Sequence, residues 1–285
     1  MYLINGQLEA VLPIRDRGLA FGDGVFETIA IINNKPHNWL FHFNRLSKGA
    51  KRLGIEVPVE GDLLTGIALL SMHKPQQQKN KFIVKIIYTR GEGGKGYLGP
   101  DKPSANCIMI LNSWPTNPAE YYLQGINVQQ LDFKLSEQSV LAGIKHLNRL
   151  EQVIARQQLA LEYQEALLLN NKNCVIEGIS SNIFFVVNNT LCIPLLNVSG
   201  IEGTIRAQVI ELCLQFNIEY QIHDFSLDDI KQSQEIFYSN SIIGLWPVKK
   251  LQLLNEQVKQ YPPGEVYKQL AEVINKQLGH PYIFE

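Results

Sequence analysis

The spacing of apolar residues along the first 115 positions predicts alternating strands and helices. Apolar side chains recur at helical spacing from Leu40 to Leu53 and again across residues 61–72, which predicts two helices. The asparagine-bearing segment 33–36 predicts a turn before the first of them. Runs rich in β-branched and aromatic residues predict strands at residues 1–6, 25–32, 82–89 and 106–111.

The rest of the chain shows the same mixture with shorter strands. Apolar residues from Leu147 to Leu161 predict a helix directly after Lys145, and Ser226-Leu-Asp-Asp229 resembles a helix cap. Two further helices are predicted at residues 203–216 and 266–278. Short apolar runs between asparagine-rich turns predict strands at residues 166–169, 175–179 and 183–187. This order predicts the α+β class, with mixed and antiparallel sheets.

A polar segment separates two parts of the chain. Residues 113–118 contain two prolines and no helical or strand pattern, which is typical of a linker. A chain of 285 residues also exceeds the usual size of one domain, about 100–150 residues. We therefore predict a small N-terminal α+β domain at residues 1–115 and a larger C-terminal domain at residues 116–285 that contains Lys145.

Composition narrows the classes of function. A formal net charge of −1 provides no basic surface for a polyanion, so we expect neither nucleic acid nor a membrane as partner. The apolar runs are shorter than the roughly 20 residues of a membrane span, and the start of the chain does not resemble a secretory signal, which predicts a cytoplasmic protein. The four cysteines form no Cys-x-x-Cys pair, so we expect no metal site.

Lys145 is a candidate reactive residue. It is the only lysine among the apolar and small residues of the segment 141–152. Burial disfavours the ammonium form, so a lysine in such surroundings becomes nucleophilic. The alternative is an ordinary surface lysine at the start of a helix, and the segment by itself leaves that alternative open.

The segment Gly91-Glu-Gly-Gly-Lys-Gly96 matches the spacing of a dinucleotide-binding motif. The residues that follow include Pro100 and Pro103 and do not predict the helix that such a motif requires. We therefore interpret the segment as a glycine-rich loop between strands. A loop of this kind can also face a substrate, to which it would offer Lys95 and Tyr97.

A second motif, Glu177-Gly-Ile-Ser-Ser-Asn182, bears on the role of Lys145. Together with Lys145 and Arg45, this motif resembles the fold-type IV family of pyridoxal-phosphate enzymes, which includes branched-chain and D-amino-acid aminotransferases. The resemblance extends from residues 21–27 to residues 246–248. It implies a two-domain fold like that of D-amino-acid aminotransferase, a cofactor site between the domains, pyridoxal 5'-phosphate as cofactor and a homodimer.

The resemblance also implies roles for individual residues. Lys145 would be the Schiff-base lysine and, once the substrate amine has displaced it, a base. Glu177 would face the pyridine nitrogen, where a carboxylate keeps the ring protonated and electron-withdrawing. The remaining residues implied to bind the cofactor, mainly its phosphate, are Arg45, Asn182, Thr204, Ile205 and Ser241. A helix that begins at Thr204 would point free amides at a phosphate.

Three functions remain open within this resemblance. The loop at Lys95 lacks the Arg-x-His of D-amino-acid aminotransferases, and Leu150 occupies the position of a tyrosine in branched-chain enzymes. Both differences, and the string from Lys145 to Gln152, favour a carbon–oxygen lyase acting on a small molecule. The alternatives are an aminotransferase for D-amino or branched-chain amino acids and a non-catalytic binder of the cofactor.

Candidate substrate contacts follow from the lyase interpretation. Thr28 is the candidate for protonating or orienting the leaving group, although a threonine in a strand is usually there for packing. A substrate with two carboxylates also needs cationic or hydroxyl partners. Our candidates for these partners are Lys95, Tyr97, Arg90 and Arg149.

Overall fold

The computed structural model describes residues 1–74 and 80–283, and the chain divides into two compact units. The first unit contains Met1–Thr116 and Ile144–Arg149, and the second contains Asn117–Gly143 and Leu150–Glu285. The sequence analysis placed Lys145 in the larger C-terminal domain, whereas the contacts of its segment assign it to the first unit. The backbone of this segment pairs with a strand of that unit, as described below.

An antiparallel sheet of six strands forms the framework of the first unit. Its spatial order is β2-β1-β6-β5-β3-β4. The strands are β1 (Tyr2–Ile4), β2 (Gln7–Leu8), β3 (Gly24–Ile32), β4 (Lys35–Pro36), β5 (Lys81–Thr89) and β6 (Asn106–Ser113). Strands β3 and β5 pair over their full lengths, from Gly24 opposite Thr89 to Ile32 opposite Lys81. The predicted turn after β3 is confirmed, since Asn33 and Asn34 both adopt positive φ angles.

The described residues of the first unit also form three helices: α1 (Arg17–Phe21), α2 (Trp39–Arg52) and α3 (Glu60–Met72). The buried residues of α2 are His42, Leu46, Gly49 and Ala50, which is the spacing of one helix face. This face lies against β3. A Cβ atom at Gly49 would lie 2.9 Å from Cγ1 of Val25, so the glycine allows the helix to approach the strand closely.

The second unit contains a mixed sheet of nine strands, in which β15 pairs only with β14. The order of the others is β12-β11-β10-β13-β14-β7-β8-β9. Pairs β7–β8, β7–β14 and β11–β12 are parallel, and the other pairs are antiparallel. The strands are β7 (Ile126–Leu135), β8 (Glu165–Asn170), β9 (Val175–Glu177), β10 (Asn182–Val187), β11 (Thr190–Pro194), β12 (Tyr220–His223), β13 (Glu235–Asn240), β14 (Gly244–Gln252) and β15 (Lys259–Gln260).

The helices of the second unit are α4 (Glu120–Leu123), α5 (Leu150–Gln158), α6 (Thr204–Phe216), α7 (Leu227–Gln232) and α8 (Glu265–Leu278). The predicted cap is confirmed, because Ser226 and Asp229 form a capping box at the start of α7. The predicted helix after Lys145 begins only at Leu150, since the residues before it are held in pairing with β3. With these elements the predicted α+β class with mixed and antiparallel sheets is confirmed. In the described part of the chain, no helix has both the length and the apolar character required to span a membrane.

The core under β3 gives a test of the fold. Ile29 is 0% exposed, so Ile29→Ala is expected to lower the free energy of unfolding by about 3 kcal/mol through lost burial and a residual cavity. Urea titration followed by circular dichroism measures this change. Leu161 is 100% exposed, so Leu161→Ala should leave the transition within about 0.5 kcal/mol of the wild type. Equal shifts in the two variants would contradict this account of the core.

Candidate active site

The segment that contains Lys145 is held by backbone pairing with the start of β3. The amide of Phe26 donates to the carbonyl of Lys145 at 2.9 Å, and the amide of Leu147 donates to the carbonyl of Gly24 at 3.0 Å. Between these two bonds His146 lies opposite Val25 in an antiparallel bridge. The backbone of Lys145 is therefore fixed by an extended pairing and not by the helix that follows it.

The side chain of Lys145 lies over an aromatic ring. Its Nζ is 4.5 Å from the centroid of Phe26, and Nζ of Lys85 on strand β5 is 5.1 Å from the same centroid. The lysine is half-buried. Burial, Arg149 and Lys145 together lower the pKa of His146 to about 4, so this neighbouring imidazole is uncharged at neutral pH.

A buried carboxylate lies on the face of β3 that α2 covers. Glu27 is 1% exposed and accepts hydrogen bonds from Arg45 through Nε at 2.7 Å and Nη2 at 2.5 Å. Its Oε2 is also 2.6 Å from Nδ1 of His42. Burial raises the pKa of Glu27, but Arg45 and His42 outweigh it and lower the pKa to about 2. Arg45 is therefore not a solvated helix residue, because its guanidinium is held bidentately by an ionised partner.

Thr28 lies on the opposite face of β3 from Glu27. Successive side chains of a strand alternate between faces, so Thr28 shares its face with Phe26, the ring that Lys145 contacts. Thr28 is half-buried and lies opposite Lys85 in the β3–β5 pairing. The first unit thus brings the predicted catalytic residues Lys145 and Thr28 to one face of the sheet.

The four residues predicted to contact the substrate differ in the hydrogen bonds that they form within the protein. Arg90 forms two hydrogen bonds with Asp23, of 2.7 and 3.0 Å, and also donates to the carbonyls of Leu53 and Gly54. These partners weigh against its predicted role. The other three are Lys95 and Tyr97, which are exposed, and Arg149, whose Nε donates to the carbonyl of His146 at 2.9 Å.

In the second unit, the side chains of Glu177 and Asn182 both form hydrogen bonds with the main chain of Ile201. The carboxylate Oε2 of Glu177 accepts from the amide of Ile201 at 2.9 Å, and Nδ2 of Asn182 donates to the carbonyl of Ile201 at 2.8 Å. Glu177 is 4% exposed and Asn182 6% exposed, so both side chains are buried. Asn182 also adjoins the start of α6, because a Cβ atom at Gly203 would lie 1.9 Å from its Oδ1.

The turn between Glu177 and Asn182 is organised by Glu165, a residue that the sequence analysis did not identify. Its buried carboxylate accepts from the amide of Ile179 at 2.7 Å and from the hydroxyl of Ser181 at 2.5 Å. Gly178 is required beside it, since a Cβ atom there would lie 2.7 Å from Cδ of Glu165. The available signal was an acidic residue that opens the apolar run of β8.

The N-terminus of α6 presents buried polar groups. Thr204 is 3% exposed, and among the described residues its Oγ1 has no hydrogen-bond partner. The same holds for Nε of Arg206, whose Nη2 donates to the carbonyl of Pro194 at 3.2 Å. No side chain caps the helix at Gly203, so the first amides, including those of Thr204 and Ile205, need other partners. Unpartnered donors at a helix N-terminus suit a phosphate group. Ser241, at the turn after β13, is half-buried.

The chain matches the family model for amino-transferase class IV over residues 24–251. It belongs to the class IV aminotransferase family. Aminodeoxychorismate lyase of Vibrio harveyi is 30% identical over 277 residues, which cover 96% of this chain and 100% of the relative. D-alanine aminotransferase of Staphylococcus aureus is 24% identical over 282 residues, which cover 96% of each protein.

Among solved structures, the class IV chain is similar to 4-amino-4-deoxychorismate lyase of Pseudomonas aeruginosa. The two share 34% sequence identity with a TM-score of 0.88, over 98% of this chain and 99% of the other. The fold-type IV resemblance inferred from the sequence is therefore confirmed. The roles of individual residues in this class IV protein stay predictions.

The ionised state of Glu27 predicts a pH dependence of stability in this class IV protein. Because its folded pKa of about 2 lies below the ordinary 4.5, its contribution is complete above about pH 4.5 and is lost as the pH falls through 2. We expect this carboxylate to account for a loss of about 2 kcal/mol between about pH 6 and pH 3. Urea titrations at both pH values measure the loss.

Two variants isolate the contribution of Glu27. Glu27→Gln should be less stable at both pH values, because Arg45 loses its partner, but its further loss on acidification should be smaller by that amount. Glu56→Gln, at an exposed position, should keep the pH dependence of the wild type. An unchanged pH dependence in Glu27→Gln would contradict the assignment.

Proposed function

We propose that this protein is a pyridoxal-phosphate-dependent lyase that converts 4-amino-4-deoxychorismate to 4-aminobenzoate and pyruvate. The observation that carries the proposal is the 34% identity and TM-score of 0.88, over nearly complete chains, with the Pseudomonas aeruginosa lyase. The 30% identity with the Vibrio harveyi lyase over its whole length supports it independently.

The residues present fit the cofactor. Lys145 supplies an amine for the aldehyde of pyridoxal phosphate, and Glu177 supplies a buried carboxylate for its ring nitrogen. When bound, the cofactor withdraws electrons from the amine-bearing carbon of the substrate. The unpartnered Oγ1 of Thr204 and the uncapped start of α6 fit its phosphate. The other residues that we assign to cofactor binding are Ile205, Ser241, Asn182 and Arg45.

The fit of Arg45 to the cofactor phosphate is less direct than the sequence resemblance implies. Its Nε and Nη2 are both occupied by Glu27. The guanidinium nevertheless keeps its positive charge in a position that is fixed by an ionised carboxylate. We therefore assign Arg45 to the phosphate mainly as a fixed charge, with the hydroxyl and amide groups at Thr204 as hydrogen-bond donors.

The reaction removes one proton and one ether group from neighbouring ring carbons. Lys145 would act as the base that removes the proton from the amine-bearing carbon. The carbon–oxygen bond to the enolpyruvyl group then breaks, its electron pair leaves with the oxygen, and the ring becomes aromatic. Protonation of the departing enolpyruvate gives pyruvate. Thr28 shares a face of β3 with the ring under Lys145, so we assign its hydroxyl to protonating or orienting the leaving group.

The two carboxylates of the substrate need partners. Lys95 and Tyr97 are exposed on the glycine-rich loop, and Arg149 is bonded through Nε to the carbonyl of His146 in the segment of Lys145. We assign substrate binding to these three residues. Arg90 is not included, because Asp23 and two backbone carbonyls already accept its hydrogen bonds.

A class IV aminotransferase is the second candidate function. The similarity of Staphylococcus aureus D-alanine aminotransferase over 96% of both chains favours this alternative. Such an enzyme would transfer the amino group of a D-amino or branched-chain amino acid to a keto acid, whereas the lyase consumes no keto acid. A non-catalytic binder of the cofactor is a third candidate, but Lys145 and Glu177 are both present.

We also propose that the protein is a cytoplasmic homodimer. Several large apolar side chains of the first unit are exposed, which is typical of a surface that another chain covers. These residues include Val11 at 88%, Ile14 at 82%, Leu19 at 64% and Leu98 at 73% exposure. Sedimentation equilibrium of the purified protein tests the dimer.

The central experiment measures product release and the cofactor together. Purified protein loaded with pyridoxal phosphate is expected to release 4-aminobenzoate and pyruvate in equal amounts without added keto acid. Lys145→Ala should lose the visible absorption band of the bound cofactor and lower kcat by at least about 10³-fold. Lys85→Ala is the matched control, because it removes the other ammonium group over Phe26, and it should retain both properties.

The outcomes separate the candidates. Transfer of an amino group from D-alanine or a branched-chain amino acid to 2-oxoglutarate, without release of 4-aminobenzoate, would favour the aminotransferase. A cofactor band with neither activity would favour the non-catalytic binder. An absorption spectrum unchanged by Lys145→Ala would refute the assignment of the lysine.

Thr28 gives a narrower prediction. Thr28→Val removes the hydroxyl at nearly constant volume, so we expect kcat to fall by about 10²-fold, as for loss of a proton donor. Thr28→Ser should stay within about fivefold of the wild type, since the hydroxyl remains. Initial rates of pyruvate release measure both, with the cofactor band as a control for loading. A Thr28→Val enzyme with normal kcat would limit the residue to packing.

A further inference from the structure

The glycine-rich loop at residues 91–99 surrounds the guanidinium of one buried arginine. Arg17 is 5% exposed, and its Nη1 donates to the carbonyl of Gly96 at 2.9 Å and to that of Gly93 at 3.2 Å. Weaker bonds reach the carbonyls of Tyr97 at 3.3 Å and Leu98 at 3.4 Å. One side chain thus contacts four main-chain oxygens of the loop.

Other contacts also hold the loop, since the amide of Gly91 donates to Oγ1 of Thr89 at 3.1 Å and the ring of Tyr97 packs edge-on against Phe21. Its internal backbone bonds are the reciprocal pair between Lys95 and Leu98, of 3.1 and 3.0 Å. Four of its glycines adopt positive φ angles, so the backbone itself imposes few restrictions. The carbonyl of Gly91 is fixed by the amide of Arg17 at 2.9 Å. Both the backbone and the side chain of Arg17 therefore determine where the loop lies.

Arg17 is in turn held by Asp23. Its Nε is 2.9 Å from Oδ2 of Asp23, and Nε of Arg90 is 2.7 Å from the same oxygen. Burial raises the pKa of Asp23, but hydrogen bonds and charge attraction from Arg90 and Arg17 lower it overall. The carboxylate thus stays ionised between two guanidinium groups.

Asp23 lies within residues 22–26, which also form hydrogen bonds with the segment that contains Lys145. On one side of it, the carbonyl of Gly22 accepts from Nδ2 of Asn148 at 3.1 Å. On the other side, Gly24 accepts from the amide of Leu147 at 3.0 Å. The loop and the reactive lysine are therefore both attached to residues 22–26, the loop through Arg17 and Asp23 and the lysine through backbone pairing.

We propose that Arg17 is a positioning residue that fixes the glycine-rich loop, and with it Lys95 and Tyr97, relative to Lys145. The part of this inference that concerns the substrate rests on the proposed function, because it takes Lys95 and Tyr97 as substrate contacts. Loss of Arg17 then weakens binding of the dianionic substrate more than it slows the chemical step.

The test compares Arg17→Met with Arg15→Met, a matched control at an exposed arginine two positions earlier. Trypsin cleavage after Lys95, followed by mass spectrometry of the fragment 1–95, reports loop mobility without any reference to catalysis. We expect cleavage to be at least about fivefold faster in Arg17→Met. KM for aminodeoxychorismate should rise about tenfold with kcat within about twofold of the wild type. Arg15→Met should match the wild type in both assays.

Further variants keep the test decisive if Arg17→Met does not fold. Arg17→Lys keeps the charge but not the forked donors, and Asp23→Asn weakens the support of Arg17, so both should accelerate cleavage. Wild-type cleavage in all folded variants would overturn the proposal, and faster cleavage with unchanged KM would overturn its substrate part. If the wild-type protein releases no 4-aminobenzoate, the proposed function fails, while the cleavage rates still decide whether Arg17 holds the loop.

Discussion

The pairing of residues 145–147 with the start of β3 is the constraint on which the positions of the first unit's candidate catalytic residues depend. It fixes the segment by a bond of 2.9 Å from Phe26 to the carbonyl of Lys145 and one of 3.0 Å from Leu147 to Gly24, and so places Nζ of Lys145 over Phe26. The alternation of β3 then sends Thr28 to the face of Phe26 and Glu27 to the face of α2. Because these positions follow from one strand and its register, a slip of one residue would exchange the two faces and remove Thr28 from the lysine.

Buried or half-buried carboxylates organise both units, and they are balanced in two different ways. Glu27 and Asp23 face arginines, and their pKa values are lowered despite burial. Glu165 instead accepts from backbone amides and serine hydroxyls of the turn before Asn182. An ion pair fixes the position of another charged side chain, whereas amide donors fix the course of the main chain. The ion pairs fix the side chains of Arg45 and Arg17. The amide donors to Glu165 fix the turn that brings Glu177 and Asn182 to Ile201.

Regular periodicity made part of the fold predictable. Helices α2 and α3 and strand β3 follow simple apolar spacing, and the structure contains all three. Strands β7 and β14 were not predicted, since β7 mixes polar residues into its run and β14 contains Pro247. The start of α5 was placed too early, because only the long-range pairing with β3 keeps Leu147 extended. The contacts of Glu27 with Arg45, of Glu165 with Ser181 and of Arg17 with the glycine-rich loop could not be predicted either, as each joins residues at least 16 positions apart.

The hydrogen bonds of Arg17 to the glycine-rich loop all end on main-chain oxygens. These four bonds therefore do not depend on which side chains occupy positions 95 and 97. Those two positions can be exchanged during evolution, or in a library of variants, while the underlying scaffold stays the same. In a family whose members include a lyase and aminotransferases, such a separation allows these two loop positions to vary without disturbing the backbone pairing that holds Lys145.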